Sequence, residues 1–335
     1  MIGILGITYY LEGSMTTSRS QQICLTETCY YHCISRCVRR AFLCGYDEYS
    51  GKSYQHRRDW VEQQLLRQSQ AFCIDVASYA IMSNHYHVII RVNPELAASL
   101  SAEAILDRWQ LLYRLDPLMV RFKEGDVLTD EEKNIVDNEI RRMREVLMSI
   151  SRFMGYLNER IARRANAEDG CKGRFWEGRF RSQALLDDVA LLQCLAYVDL
   201  NPVRAGISQN PLQSEYTSIK RRLACDSSGL LEFKTDKAGK MSENYNELPF
   251  HIKDYLELLE WSGCIIQGDK RESITENAPA LIDKFVIEPT RWHAAMKPPL
   301  PWHQKALGSA RNIKKYCEAI GQRWLRQADY ALNYT

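Results

Sequence analysis

His85 and His87, in the apolar run from Tyr79 to Ile90, are the residues with the clearest chemical potential in this chain. A segment this rich in β-branched and aromatic residues reads as a strand. Strand side chains alternate faces, so His85, His87 and Ile89 point one way while Tyr86, Val88 and Ile90 point the other. Two imidazoles two residues apart can share one divalent cation, leaving positions open for phosphate oxygens and water. Such a pair needs a third protein ligand from elsewhere. The plain alternative is a half-buried sheet face that happens to carry two histidines, and for an isolated pair that alternative is the commoner one.

A second stretch lies downstream. Between Gly173 and Gln183 the sequence combines Arg174, Arg179 and Arg181 with Phe175, Trp176 and Phe180. Arginines hold phosphates, and aromatic faces can stack on unpaired bases. Residues 151–181 carry seven Arg and one Lys against four acidic side chains, a local excess larger than the formal charge of +2 of the whole chain. Nucleic-acid binding would therefore rest on local clustering, because no global basic field exists. The bland reading of the same residues is a solvated, salt-bridged surface.

The elements that must position these residues follow from periodicity. Strands are expected over Tyr30–Val38, Ile74–Met82, His85–Val92 and Ser182–Leu186, with Ser83 and Asn84 as a turn between the second and third. Helical spacing covers Arg57–Phe72, Glu95–Tyr113, Asp130–Asn166 and Asp187–Leu200. Composition turns polar from Asp226 to Asn246, which reads as a linker. The remainder reads as a helical extension ending in a stripe of Ala310, Ile313, Cys317, Ile320 and Trp324, with Arg311, Lys314, Lys315, Arg323 and Arg326 around it. The expected organisation is a domain over 15–225, a linker over 226–246 and an extension over 247–335.

With 45% hydrophobic and 26% charged residues the chain is of ordinary globular composition. Eleven cysteines, an odd count without a secretory signal, favour a reduced cytoplasmic setting. Cys29, Cys33 and Cys37 share one parity on the first strand, but their spacing is not that of a thiolate metal site, and we read them as structural. The opening residues are too short an apolar run for a membrane span, and Met15 begins a more ordinary polar start.

Taken in order, these motifs resemble one family. Asn84, His85 and His87 are followed by Gly173, Trp176, Gly178 and Arg179, then by Tyr197, Asn201, Pro202, Arg204, Ala205 and Gly206. Tyr31, His32, Ser35 and Arg36 fit its first strand. The set is similar to the REP-associated branch of the single-tyrosine HUH transposases, within the insertion-sequence-200-like group, over about Tyr30 to Gly206. The resemblance implies an α+β HUH nuclease fold, an antiparallel ferredoxin-like sheet flanked by helices. It also implies Mg²⁺ or Mn²⁺ held by His85 and His87, and cleavage and rejoining of single-stranded or hairpin DNA through a phosphotyrosine. A homodimer is the further expected partner arrangement. The family's tyrosine position falls on Ile161, so Tyr156, five residues earlier on the same helix, is the candidate nucleophile. Because the family draws its third ligand from that helix, Glu159 and Asn166 are candidates. Arg174, Trp176, Arg179, Arg181 and Arg204 are the expected DNA contacts. The competing reading is a regulator of palindromic repeats that binds DNA on this fold without strand transfer; a hydrolase using a metal-activated water is a weaker third.

Overall fold

The structure is a computed structural model and describes residues 22–38, 43–47, 51–234, 246–267, 278–296, 304–323 and 325. The described chain begins with β1 (Tyr30–Arg36), a short ribbon of β2 (Tyr46–Asp47) and β3 (Lys52–Ser53), and helix α1 (Arg57–Ala71). A hairpin follows, β4 (Ile74–Ile81) and β5 (His85–Val92). Helices α2 (Pro94–Ser99), α3 (Ala102–Gln110), α4 (Pro117–Glu124), α5 (Asp130–Leu147) and α6 (Ile150–Glu168) lead to β6 (Arg181–Leu185). Next come α7 (Asp188–Asp199), α8 (Asn201–Arg204), α9 (Ser218–Leu223), β7 (Glu232–Lys234) and β8 (Glu247–His251). The described chain closes with α10 (Ile252–Gln267), α11 (Ala280–Lys284), α12 (Pro289–Met296), β9 (Ala306–Leu307) and α13 (Ala310–Ala319).

The main sheet runs β4-β5-β1-β6-β9. Its first four strands pair antiparallel to their neighbours, and β9 joins β6 in parallel. With α1 between β1 and β4, and α6 before β6, this is the split βαβ connectivity of a ferredoxin-like sheet. Helices α1 and α6 contact each other and cover the face that carries Tyr31, Tyr79, Tyr86, Val88 and Ile90. On the other face α7 packs against β4, β5 and β6, and α10 packs behind α7 and α8. Ala80, Met82 and Ile89 belong to this second cluster, together with Leu195, Tyr255, Leu258 and Trp292.

Two expected long helices are each divided. Ser101 stands in extended backbone, its hydroxyl accepting from Ala104 N, so the Glu95–Tyr113 pattern splits into α2 and α3. Ser149 does the same for Arg152 N and separates α5 from α6. Serine favours such N-cap positions because its side chain satisfies an amide that has no helical partner. The three- and four-residue spacing from Leu147 through Ile150 to Met154 runs through the break and hid it.

Residues 247 onward start with a strand rather than a helix, and β9 enters the main sheet. Of the expected linker, residues 235–245 lie outside the described residues, while Glu232–Lys234 pairs in parallel with β8. The proposed start at Met15 and the stripe residue Trp324 also lie outside them. Among the described residues no helix is long and apolar enough to cross a membrane.

Candidate functional site

Register decides which side chains share a face. In the β1–β5 ladder Arg36 lies opposite His85, Ile34 opposite His87 and His32 opposite Ile89. In the β1–β6 ladder Gln183 lies opposite His32 and Arg181 opposite Ile34. Directly paired residues project to the same side of a sheet. His32, His85, His87, Arg36, Arg181 and Gln183 therefore occupy one face, on the side of α7.

The three imidazoles are contiguous. The His85 and His87 ring centroids are 4.9 Å apart with planes nearly perpendicular, and His32 stacks on His87 at 5.1 Å. His32 Nε2 and His87 Nδ1 are hydrogen bonded at 2.9 Å. His85 Nδ1 lies 2.6 Å from Asn84 Oδ1, which can only accept. His87 is buried and, among the described residues, its Nε2 has no hydrogen-bond partner, a costly state for a polar atom that needs a cause. Tyr197, brought by α7, sets its ring edge-on to His87 at 5.7 Å, and the Arg204 guanidinium lies 5.0 Å from the centre of that ring.

All three histidines are held neutral. Burial pushes His32 down to about 4 and His85 to about 4, with the positive charge of Arg36 adding to the shift at His85. His87 sits well below the usual imidazole range, again through burial first and its neighbours His32 and His85 second. Neutral imidazole is the form that donates a lone pair to a cation.

Helix α6 is on the other side of the sheet. Asn158 on α6 accepts from the Tyr86 hydroxyl and donates to Ser35 Oγ, both on the face opposite the histidines. Ile161 is buried in the same apolar cluster as Tyr86 and Trp176. Tyr156 is no nearer the histidines. Its hydroxyl donates to the Leu112 carbonyl and accepts from Arg160, and its ring meets Tyr113 edge-on at 5.6 Å. This corrects the assignment of Tyr156 as nucleophile: in this conformation the whole sheet separates it from His85 and His87.

The candidate third ligands fail for the same reason. Glu159 is exposed and ion-paired with Arg163 at 2.5 Å. Asn166 donates to the Gly173 carbonyl and pins the start of the Gly173–Gly178 loop. Among the described residues no group of three or more His, Cys, Asp or Glu side chains is arranged to hold a metal ion.

The loop after α6 divides by side-chain type. Trp176 is 8% exposed, donates from Nε1 to the Asn158 carbonyl and packs edge-on against Tyr86 at 5.7 Å. It is a core residue of the α6 face, so its expected role as a platform for DNA bases is corrected. Arg174, Arg179 and Arg181 are exposed. Only Arg181 is placed by strand register on the histidine face. Arg204 reaches that face through α8 and its contact with Tyr197.

No family model matches the sequence. No curated protein matches it either. A solved structure does, described as "Structure of the REP associates tyrosine transposase bound to a REP hairpin"; the match covers 70% of this chain and 97% of that one, at 13% identity and a TM-score of 0.33. The match is thus with a REP-associated tyrosine transposase, the branch that the sequence motifs resemble.

Sequence reasoning did not give roles to His32, Gln183, Arg36 or Tyr197. Three of them, His32, Arg36 and Tyr197, stand inside the quoted motifs. The missing signal was strand register: only the pairing of β1 with β5 and β6 places His32 beside His87 and Gln183.

Proposed function

We propose that this chain binds single-stranded or hairpin DNA on the histidine face of its sheet and does not use a tyrosine of α6 for strand transfer. The observation that carries this reading is the placement of α6 and of His85 and His87 on opposite faces. Arg181 and Arg36, beside the histidines, supply cationic hydrogen-bond donors for backbone phosphates. The motifs imply a HUH arrangement, and the position of these histidines on neighbouring strands of a largely antiparallel sheet supports that reading.

The imidazole nitrogens of His85 and His87 fit a divalent ion, Mg²⁺ or Mn²⁺, as two of its ligands, with no third His, Cys, Asp or Glu of the described residues arranged to join them. The orphaned Nε2 of His87 supports that fit, and with Nδ1 of His85 facing Asn84 Oδ1, His85 Nε2 is the nitrogen left to join it. Bound there, the ion would offset phosphate charge, its remaining positions taken by DNA oxygens and water. The chain's own residues hold the imidazoles neutral and aligned and keep α6 out of reach.

The test is a gel-shift titration with a labelled DNA hairpin, with and without Mn²⁺, alongside a denaturing gel for covalent protein–DNA species. Retention of the hairpin that weakens with salt, and no covalent band, is the expected result. A covalent band lost in Tyr156→Phe would overturn the reading. One observation favours a second reading: Tyr197 is the tyrosine beside His87. A covalent band that persists in Tyr156→Phe and disappears in Tyr197→Phe would establish it.

A further inference from the structure

We infer that His32 and Gln183 are positioning residues that fix the tautomer of His87, and that the anchor of this chain of hydrogen bonds is a backbone carbonyl of the C-terminal segment, at Gln304. The inference rests on the proposed metal-binding role of His85 and His87 and deepens it.

The direction of each hydrogen bond follows from the one before. Gln183 Nε2 donates to the Gln304 carbonyl at 3.2 Å. A carbonyl oxygen can only accept, so the amide end of Gln183 is set, and its Oε1 is the atom turned to His32 Nδ1, 3.5 Å away. An amide oxygen also only accepts, so His32 carries its proton on Nδ1 and presents a bare Nε2. That Nε2 lies 2.9 Å from His87 Nδ1, which must then be the protonated nitrogen of His87. The lone pair of His87 is left on Nε2, the buried nitrogen without a partner. Every other polar atom in the sequence from Gln304 to His87 Nδ1 has a partner of the right kind. The chain ends at an available ligand atom.

This arrangement has the form of an outer-shell orientation of a metal ligand, in which the second ring nitrogen is hydrogen bonded so that the first is aimed and electron-rich. The anchor is not local. Gln304 precedes β9, and the neighbouring Lys305 carbonyl accepts from Ala184 N, so β9 holds Gln304 against β6 at the level of Gln183. The C-terminal segment is thereby wired into the site through one carbonyl.

The experiment reads the tautomers directly. The full chain, labelled with ¹⁵N-histidine and free of metal, is studied by long-range ¹H–¹⁵N correlation at neutral pH. The expected spectrum has the Nδ1–H tautomer at both His32 and His87. In Gln183→Leu the fixed pattern at His32 is lost, and in His32→Leu that at His87 is lost, whereas His32→Gln, whose side-chain oxygen can still accept from His87 Nδ1, keeps it. Mn²⁺ titration of the same proteins should show binding weakened by roughly 10- to 100-fold in the two Leu variants and restored toward wild type in His32→Gln. A wild-type His87 protonated on Nε2, which needs no variant to observe, overturns the inference. So does Gln183→Leu with an unchanged histidine spectrum, or Leu variants with wild-type Mn²⁺ affinity. Wild-type protein that shows the expected tautomers but binds no Mn²⁺ would remove the metal reading of the site and, with it, the positioning role, leaving the hydrogen-bond chain as a description of the fold.

Discussion

The two faces of the central sheet carry different kinds of interior. Toward α1 and α6 the sheet presents aromatic rings whose polar tips reach a partner, while the buried Arg57 and Gln68 come from α1. Tyr86 donates to Asn158, Tyr79 to Glu62, and Trp176 to the Asn158 carbonyl. Toward α7 and α10 the sheet holds buried polar centres. One is the histidine chain ending at His87 Nε2, and the other is Asp199, which accepts from Ser78, Ser218 and Tyr255. Both faces come from the same strands, one residue apart. The difference teaches that parity along β1 and β5 sorts structural from chemical residues: Tyr31, Cys33, Ser35 and Tyr86 build the core, while His32, Arg36, His85 and His87 build the site.

The largest expected effect tests the structural face. Trp176→Ala removes a buried ring and its hydrogen bond, and should cost about 3–5 kcal/mol of stability in urea unfolding. DNA affinity measured well below the unfolding midpoint should stay close to wild type. A variant of near-normal stability with strongly weakened DNA binding would restore Trp176 as a base platform and break the division between the faces.

Next in size is Ile161→Tyr, which puts a tyrosine back at the position that the motif alignment points to. Because that position faces the α6 core, the larger side chain should cost about 1–3 kcal/mol by overpacking. No covalent hairpin adduct should appear with Mn²⁺. An adduct would mean that α6 can reach the histidine face, and the comparison would fail at its base.

A smaller effect belongs to the arginines. Arg181→Ala should lower the salt dependence of hairpin binding by about one phosphate contact, a slope change of about 0.9. Arg141→Ala, on the exposed side of α5 where its guanidinium donates to Asn138, should leave the slope unchanged. Equal effects from both would reduce binding to a diffuse charge effect with no preferred face.

How far the sequence reveals these faces depends on the range of the interaction concerned. Strands β1, β4, β5 and β6 were legible because alternation and turn chemistry act over a few residues, as did the side-by-side placement of His85 and His87. The position of α6 was not. Its apolar stripe of Phe153, Leu157 and Ile161 states that one helix face is buried, and says nothing about which side of the sheet buries it. The breaks at Ser101 and Ser149 were concealed by apolar spacing that continues across them. His32 as a partner of His87 depends on pairing between residues 55 apart, and the joining of β9 to β6 spans a still longer separation.

The smallest expected effect probes the second buried centre on the site face. Asp199 is fully enclosed, with Ser78 and Ser218 donating to Oδ1 at 3.2 and 3.0 Å and Tyr255 donating to Oδ2 at 2.6 Å. Burial raises its carboxyl above the ordinary value, and the Tyr255, Ser218 and Ser78 hydrogen bonds and Arg222 oppose this only in part. A carboxyl whose folded value is raised binds its proton more tightly in the folded state than in the unfolded chain. Its stabilising contribution is present in full below the unfolded value and is lost as pH rises through the folded one. Asp199→Asn keeps an acceptor for the two serines and offers an amide that the Tyr255 hydroxyl can accept, so the pocket can still be satisfied without a charge. The difference in unfolding free energy between variant and wild type should therefore move in favour of Asn as pH is raised above about 4, and level off once pH has passed the raised folded value. Urea unfolding at several pH values reads this directly. Movement in favour of Asp over that range would show the opposite, a charge that this layer stabilises, and the polar centres of the site face would then be ion-stabilising in place of merely tolerated.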